Sequence, residues 1–205
     1  MNTTALGTAV IEAAESRHSI RRYTDEPVTD AQLRTLVEAA GRAPSSNNVQ
    51  PWRWVAVRDQ AMKDRLQAAA NNQQQVGAAS VLLVLYTDTK DALEHIEETF
   101  ADTLPAEKAA ATRDYLDKTL GAQSDDARET WGVGQSYIAL GYLLLIAESL
   151  GLGTSPMLGF DVQEVKSILG LPGHAKIPAL VAIGHPAEEG FDSPRHRLDR
   201  ILTEL

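Results

Sequence analysis

The chain has 205 residues, 43% hydrophobic and 23% charged, with 19 Lys+Arg against 28 Asp+Glu and a formal net charge of −9. That length supports one domain over 1–205 with a sizeable core rather than two, and the acidic balance argues against a non-specific nucleic-acid binder while leaving room for one local phosphate site. The absence of cysteine excludes disulfides, thiolate metal sites and a cysteine nucleophile, and it fits a cytoplasmic protein.

Met1 to Glu15 has neither a basic start nor a continuous apolar core, so no signal peptide is expected. A first helix is predicted from Leu6 to Ser16. After a turn at Pro27, Thr29 with Gln32 three residues on reads as a capping box. Leu33, Leu36, Val37 and Ala40 then share one helical face, and Pro44 ends that helix. Trp54 to Val57 reads as a short strand and Ala61 to Ala70 as a helix. Asn71 to Gln75 is a short polar cluster. Ser80 to Tyr86 is apolar without polar alternation, the pattern of a strand covered on both faces.

Asp91 to Gln123 is polar, charged and helical in parts. Two readings stand for it: a mobile cover over a site, or an exposed helical excursion. Trp131 to Leu150 is helical and apolar nearly all round, so it needs burial inside the domain or at a subunit interface. Its most apolar part, Tyr137 to Ala147, is too short to span a bilayer, and no membrane association is expected. Gly151 stands where a helix-ending glycine belongs. Gly151 to Asp161 is read as a connection between two helices, the second running from Asp161 to Leu169 with Asp161 as its cap. Ala179 to Gly184 is a central-type strand, and Phe191 to Leu205 mixes arginine with aliphatic residues. Helices interleaved with few strands define an α/β or α+β class around a central sheet.

The five histidines, His18, His95, His174, His185 and His196, show no zinc-site spacing. There is no nucleophile elbow and no phosphate-binding P-loop, and Gly151 with Gly153 lacks the rest of a dinucleotide fingerprint. An enzyme of this composition would leave its hard step to a bound cofactor.

Three segments could hold one. Ser16 to Tyr23 carries Arg17, Arg21 and Arg22 beside Ser19, either an anion site or a solvated basic surface. Arg42 to Trp52 places Ser45, Ser46, Asn47, Asn48 and Gln50 between Pro44 and Pro51, either a stiffened loop of fixed donors and acceptors or a well-capped turn. Gly151 to Asp161 contains Gly159, at which a backbone N–H can approach a ligand closely.

In order and spacing these segments resemble the nitroreductase family. Arg17, His18, Ser19 and Arg21 match its N-terminal motif. Pro44, Ser45, Ser46, Asn48, Gln50, Pro51 and Trp52 match its Pro-Ser-Ser loop. Pro156, Gly159, Phe160 and Asp161 match its third turn, with Met157 and Leu158 between, and Arg195 with Arg197 match a C-terminal basic pair. The similarity runs from about Ile11 to Arg197.

The resemblance implies an α+β fold with a central, mostly antiparallel sheet flanked by helices, in an intertwined homodimer with FMN between the subunits. It implies that Arg17, Arg195 and Arg197 grip the FMN phosphate, with Ser19 and His18 in the same region. Pro44, Ser45, Ser46, Asn48 and Gln50 line the flavin from the partner, and Asn72 meets the polar edge of the ring. Arg21 stands near N1 and O2 as an electrostatic stabiliser, and a backbone N–H near Gly159 faces N5. The implied activity is ping-pong hydride transfer from NADH or NADPH through FMN to a small electron-poor acceptor such as a nitroaromatic or quinone, with no side chain as conventional acid or base. Other branches of the fold reduce aldehydes, activated alkenes or halogenated aromatics, and a non-catalytic flavin store or sensor is the rival from another class. Leu158 and Gln75 depart from the pattern, since many bacterial members carry Glu and Lys there. Trp131 either lines the pocket or packs as a core or interface aromatic.

Overall fold

A computed structural model describes residues 5–205; the expectation about the extreme N-terminus falls partly on residues 1–4, outside that range. Four strands form one sheet in the order β1-β2-β4-β3: β1 Trp52–Val57, β2 Val81–Thr87, β3 Gly153–Met157 and β4 Ala179–Gly184. All three pairings are antiparallel. β2 and β4 are central, and both are apolar runs because both of their faces are covered. Val81, Leu83 and Leu85 point to one side, and Leu82 and Val84 to the other, all fully buried.

The first side is packed by α2 (Asp30–Ala40) and α7 (Asp125–Ser149), with α1 (Ala5–Ser16) against α7. The second is packed by α3 (Gln60–Ala69), α4 (Gln74–Ala78) and α8 (Val162–Leu169). The capping box on α2 is formed in both directions: Thr29 Oγ1 accepts from the Gln32 N–H at 3.2 Å, and Gln32 Oε1 accepts from the Thr29 N–H at 2.8 Å. α2 ends at Ala40 with Gly41 as its cap, three residues before the expected stop at Pro44.

Two expectations are corrected. The stretch after Gly151 is not a plain helix-to-helix connection but contains β3. That strand is short, holds Gly153 and Pro156, and buries Thr154 and Ser155, so it lacks the apolar alternation by which strands are recognised. Pro156 fits because β3 is the last strand in the order, where a missing N–H costs least. The long helix starts at Asp125 rather than Trp131, capped by Ser124 Oγ, which accepts from the Ala127 N–H at 3.3 Å.

At 25 residues α7 is long and apolar enough to cross a bilayer, so shortness is not what argues against a span. Its packing does, because it contacts β1, β2, β3, α1, α2 and the helix that follows β2. Near its start Glu129 is fully buried, accepting from the Thr89 N–H at 3.1 Å and Thr89 Oγ1 at 3.0 Å. One protomer still leaves Tyr137, Ile138 and Tyr142 of α7 about two-fifths exposed.

The 91–123 region holds α5 (Thr89–Glu94), a 3-10 turn (Ile96–Thr99), α6 (Ala106–Leu116) and a π turn (Asp117–Gly121). It has a core of its own: Ala92, Leu93, Ile96, Leu116 and Leu120 close over Val49, with Trp131 partly buried beside them. The excursion is therefore packed onto the Pro44 to Pro51 loop, and Trp131 belongs to that cluster. A last short helix, α9 (Leu198–Ile201), lies in an exposed C-terminal stretch.

Candidate cofactor site

The basic segment leaves α1 and runs beside β3. Ser19 pairs with Thr154 as a parallel bridge, and the Ile20 N–H donates to the Thr154 carbonyl at 2.9 Å. This approach requires Gly153, whose replacement by any larger residue would drive a Cβ to 2.9 Å from Ile20 Cβ. Gly184 plays the same part under Tyr23, whose ring would meet a Cβ at 2.7 Å. The Tyr23 hydroxyl donates to the Ile20 carbonyl at 2.6 Å, and burial, then the nearby Glu188 carboxylate, raises its pKa well above the usual tyrosine value. The tyrosine thus acts as a neutral pin that holds the segment on the sheet.

Arg17 is half-buried, and its Nη1 is one of five buried side-chain polar atoms without a hydrogen-bond partner among the described residues. Buried donors are almost always paired, and this one stands on the basic segment, open to an acceptor from outside the chain. His18 Nδ1 sits 2.6 Å from the Ser16 carbonyl. Arg21 is exposed, its Nη1 donating to the Ser19 carbonyl at 3.2 Å and its guanidinium stacked 5.5 Å from the centre of the Phe191 ring. Its own N–H donates to Glu188 Oε1 at 2.7 Å.

Arg195 and Arg197 are both exposed. Arg195 Nη1 donates to the carbonyls of Ser193 and Pro194, and Arg197 pairs with Asp199 at 3.4 Å. Those bonds stay inside the tail, so the structure does not join either arginine to Arg17 or Ser19. Phe191, which does touch Arg21, lies only four residues before Arg195, a reach of about 14 Å in extended chain.

The Pro44 to Pro51 loop is held from three directions. The Ser46 N–H donates to Gln135 Oε1 of α7 at 2.9 Å, Asn48 Nδ2 donates to the Thr99 carbonyl at 3.1 Å, and Val49 is buried under the excursion. Ser45 Oγ accepts from the Gln50 N–H at 3.0 Å, and Gln50 Nε2 donates to Asn48 Oδ1 at 3.0 Å. Pro44, Ser46 and Asn48 remain exposed.

The third turn meets the polar cluster Asn71 to Gln75. Asn72 and Leu158 are exposed, Gln75 is buried, and Asn71 and Gln73 both bond the Gly159 carbonyl. Gly159 itself needs neither positive φ nor internal space, because a Cβ there would make ordinary contacts of 3.5 and 3.6 Å with Asn71 and Gln73.

Backbone strain singles out the same segments. Among the described residues, the non-glycine positions with positive φ are Asn47, Asn48, Gln50, Asn71 and Asn72. Three fall in the Pro44 to Pro51 motif loop and two in the polar cluster that bonds the Gly159 turn. Such conformations persist where the surroundings over-determine them, and they gather at ligand sites. Sequence reading missed Asn71, Gln73 and Gln135. The first two lay inside the polar cluster as unassigned amides, and nothing local distinguishes Gln135 on its helix.

With this geometry in hand, the chain matches the nitroreductase family model over residues 14–185. It belongs to the nitroreductase family. It is 52% identical over 190 residues to an NADH dehydrogenase of Thermus thermophilus, covering 93% of each chain. It is 33% identical to an FMN reductase [NAD(P)H] of Bacillus subtilis over 91% of this chain and 69% of the relative. Among solved structures, a protein of Exiguobacterium sibiricum in complex with FMN superposes with a TM-score of 0.87 at 25% identity, covering 96% of this chain and 97% of that one.

Proposed function

We propose that this chain is an FMN-dependent oxidoreductase of 1–205 that passes hydride from NADH or NADPH to a small electron-poor acceptor, a nitroaromatic or a quinone, by a ping-pong course. The observation that carries the reading is the buried Nη1 of Arg17, without a partner among the described residues, heading a basic segment pinned to the sheet beside the strand that ends in the Gly159 turn. The residues fit the cofactor. Arg17 supplies an orphan donor for a phosphate, with Arg195 and Arg197 completing the grip and Ser19 and His18 alongside. Each charge-assisted contact is worth roughly 1.5–3 kcal/mol. When bound, FMN supplies the hydride-accepting and hydride-returning centre at N5.

The protein's share is orientation and electrostatics. Arg21 offers a fixed positive charge to the N1 and O2 edge, where negative charge gathers on reduction. Asn72, Gln75 and Pro156 to Gly159 frame the ring, and the clamped loop of Pro44, Ser45, Ser46, Asn48 and Gln50, with Pro44, Ser46 and Asn48 exposed, reaches it from a second copy of the chain. No side chain has to carry a proton as acid or base. Leu158, 68% exposed, together with the neutral Gln75 gives the pocket an apolar, weakly charged wall that suits flat uncharged acceptors.

The homodimer is supported by surfaces that one protomer leaves bare. Val10 of α1 and Tyr142 of α7 are exposed beside a groove of about 590 Å³ between α1, α2 and α7, and Ile11 of α1 is exposed as well. Leu198, Ile201 and Leu202 of the tail are exposed as well. Apolar surface of that kind marks an interaction site. We place the enzyme in the cytoplasm, where its reductant is made, with no nucleic-acid or membrane partner.

A steady-state screen of nitroaromatics, quinones and aldehydes with each reductant tests the acceptor class, and turnover of aldehydes alone contradicts it. Arg21→Ala lowers the two-electron potential of bound FMN. A redox titration without a downward shift removes Arg21 from its assigned place.

A further inference from the structure

Two side-chain amides converge on one carbonyl at the third turn. Asn71 Nδ2 donates to the Gly159 oxygen at 3.0 Å and Gln73 Nε2 at 2.9 Å. Gln75 Nε2 in turn donates to Gln73 Oε1 at 3.3 Å, which sets the Gln73 amide with its nitrogen toward the turn. Next to this, the Phe160 N–H folds onto the Leu158 carbonyl at 3.0 Å. A bond from residue i+2 back to residue i, around a central residue without positive φ, is an inverse γ-turn. The Asp161 N–H is tied to the Ala69 carbonyl at 2.8 Å, so the turn is also moored to the end of α3.

The peptide planes then fix a direction. In a trans peptide the C=O and N–H point opposite ways, and no described peptide is cis. The Leu158 carbonyl is turned inward onto Phe160. The Gly159 N–H shares that plane, so it points outward, on an exposed residue. The Gly159 carbonyl belongs to the next plane, and the two amides hold that plane still. The amide side carries its own backbone cost, because Asn71 and Asn72 sit at φ 54° and 57°, a region that non-glycine residues occupy sparingly.

We propose that Gln73, together with Asn71, is a positioning pair that locks the Gly159 turn so that its peptide N–H is presented to flavin N5. This rests on the FMN reading above and extends it to side chains behind the turn that act on the cofactor only through the backbone. Gln75 belongs to the same relay, since it orients the Gln73 amide. In oxidised flavin N5 is a lone-pair acceptor, and in reduced flavin it carries hydrogen. A donor held against N5 therefore favours the oxidised form, and loosening it raises the two-electron potential.

The test compares wild type with Gln73→Met and with the double variant Gln73→Met, Asn71→Gly. Methionine keeps the length and removes the donor. Glycine removes the second donor and takes positive φ without steric cost. The Gln73 side chain makes no capping bond to α4, so that helix keeps its start. Three quantities are read: the FMN midpoint potential by anaerobic redox titration, the FMN Kd, and hydrogen exchange of residues 157–161 in the FMN-free protein.

The double variant is expected to raise the potential, and to exchange about ten- to hundredfold faster across 157–161, the span of two neutral hydrogen bonds. Its FMN Kd stays within about threefold of wild type, because the phosphate contacts are elsewhere. Gln73→Met alone gives an intermediate shift. FMN bound with unchanged potential and exchange in the double variant overturns the positioning role alone. A Kd that collapses while the potential stays put also overturns it, since the amides would then hold the cofactor themselves. Wild-type protein that takes up no FMN overturns the functional reading and this role together.

Discussion

The middle of β2 and the C-terminal tail are opposite kinds of chain. Val81 to Leu85 are all at 0% exposure, five apolar residues sealed between two helical layers. From Phe191 to Leu205 every residue is exposed, although Phe191, Leu198 and Ile201 are 66–70% open and as apolar as anything in the core. The same hydrophobic drive operates in both places. In the strand one protomer satisfies it, whereas in the tail one protomer cannot. The residues proposed to hold FMN divide along the same line. Arg17 and the Gly159 turn sit on the finished body, while Arg195 and Arg197 ride on the unfinished tail. On the proposed reading, a partner and a ligand would cover those bare surfaces and complete the site.

Substitutions on either side can break or sharpen that contrast. The largest effect is expected at Leu83→Ala. It opens a cavity between the sheet and α7 and costs about 2–5 kcal/mol of stability by denaturant titration. Leu198→Ala should leave the unfolding of one protomer unchanged and weaken the dimer in sedimentation at low concentration. Equal losses of protomer stability would erase the contrast.

Next comes Glu129→Leu on α7. It leaves the Thr89 N–H and Oγ1 without acceptors and Arg128 Nε without the carboxylate 3.9 Å away. A loss of roughly 2–4 kcal/mol is expected, with earlier thermal unfolding of the excursion. A variant as stable as wild type would show that α7 does not anchor that region through Glu129.

Smaller again is Arg197→Ala, which should weaken FMN binding at least tenfold, about 1.4 kcal/mol, with no change in melting of the FMN-free protein. An unchanged Kd in a flavin titration would take the tail out of the phosphate site.

The smallest effect is at His95. Its ring nitrogen lies 2.9 Å from the Asp91 carbonyl and 3.3 Å from the Asp91 carboxylate. The carbonyl contact first, and the carboxylate second, raise its pKa above 6.5. A raised histidine stabilises the fold below its unfolded value and loses that contribution as pH rises through the raised one. His95→Ala should therefore lower the melting temperature slightly at pH 5 and not at pH 8. The opposite pattern would contradict the assignment.

Much of this was legible in the sequence, and the failures have physical causes. β2 and β4 announce themselves because a strand covered on both faces has to be apolar throughout. The α2 capping box is local, and it formed as written. β3 is not recognisable because it is a short edge strand that contains Gly153 and Pro156 and buries Thr154 and Ser155, a composition that reads as loop. The start of α7 was missed because Asp125 to Thr130 is polar, and its burial of Glu129 depends on Thr89, distant in sequence. The site motifs were legible as residues, and their roles only through the family resemblance. The orphaned Arg17 donor, the five strained φ angles and the amide pair on Gly159 come from contacts between segments that no local pattern encodes.

FMN held by this chain should take up and give back electron pairs. Anaerobic stopped-flow mixing of the FMN-loaded protein with NADH or NADPH tests it most directly. The visible flavin absorption should bleach with at least one reductant and return on adding a quinone or nitroaromatic. A bound flavin that stays oxidised with both reductants would contradict the account, leaving a protein that stores or senses FMN without turning it over.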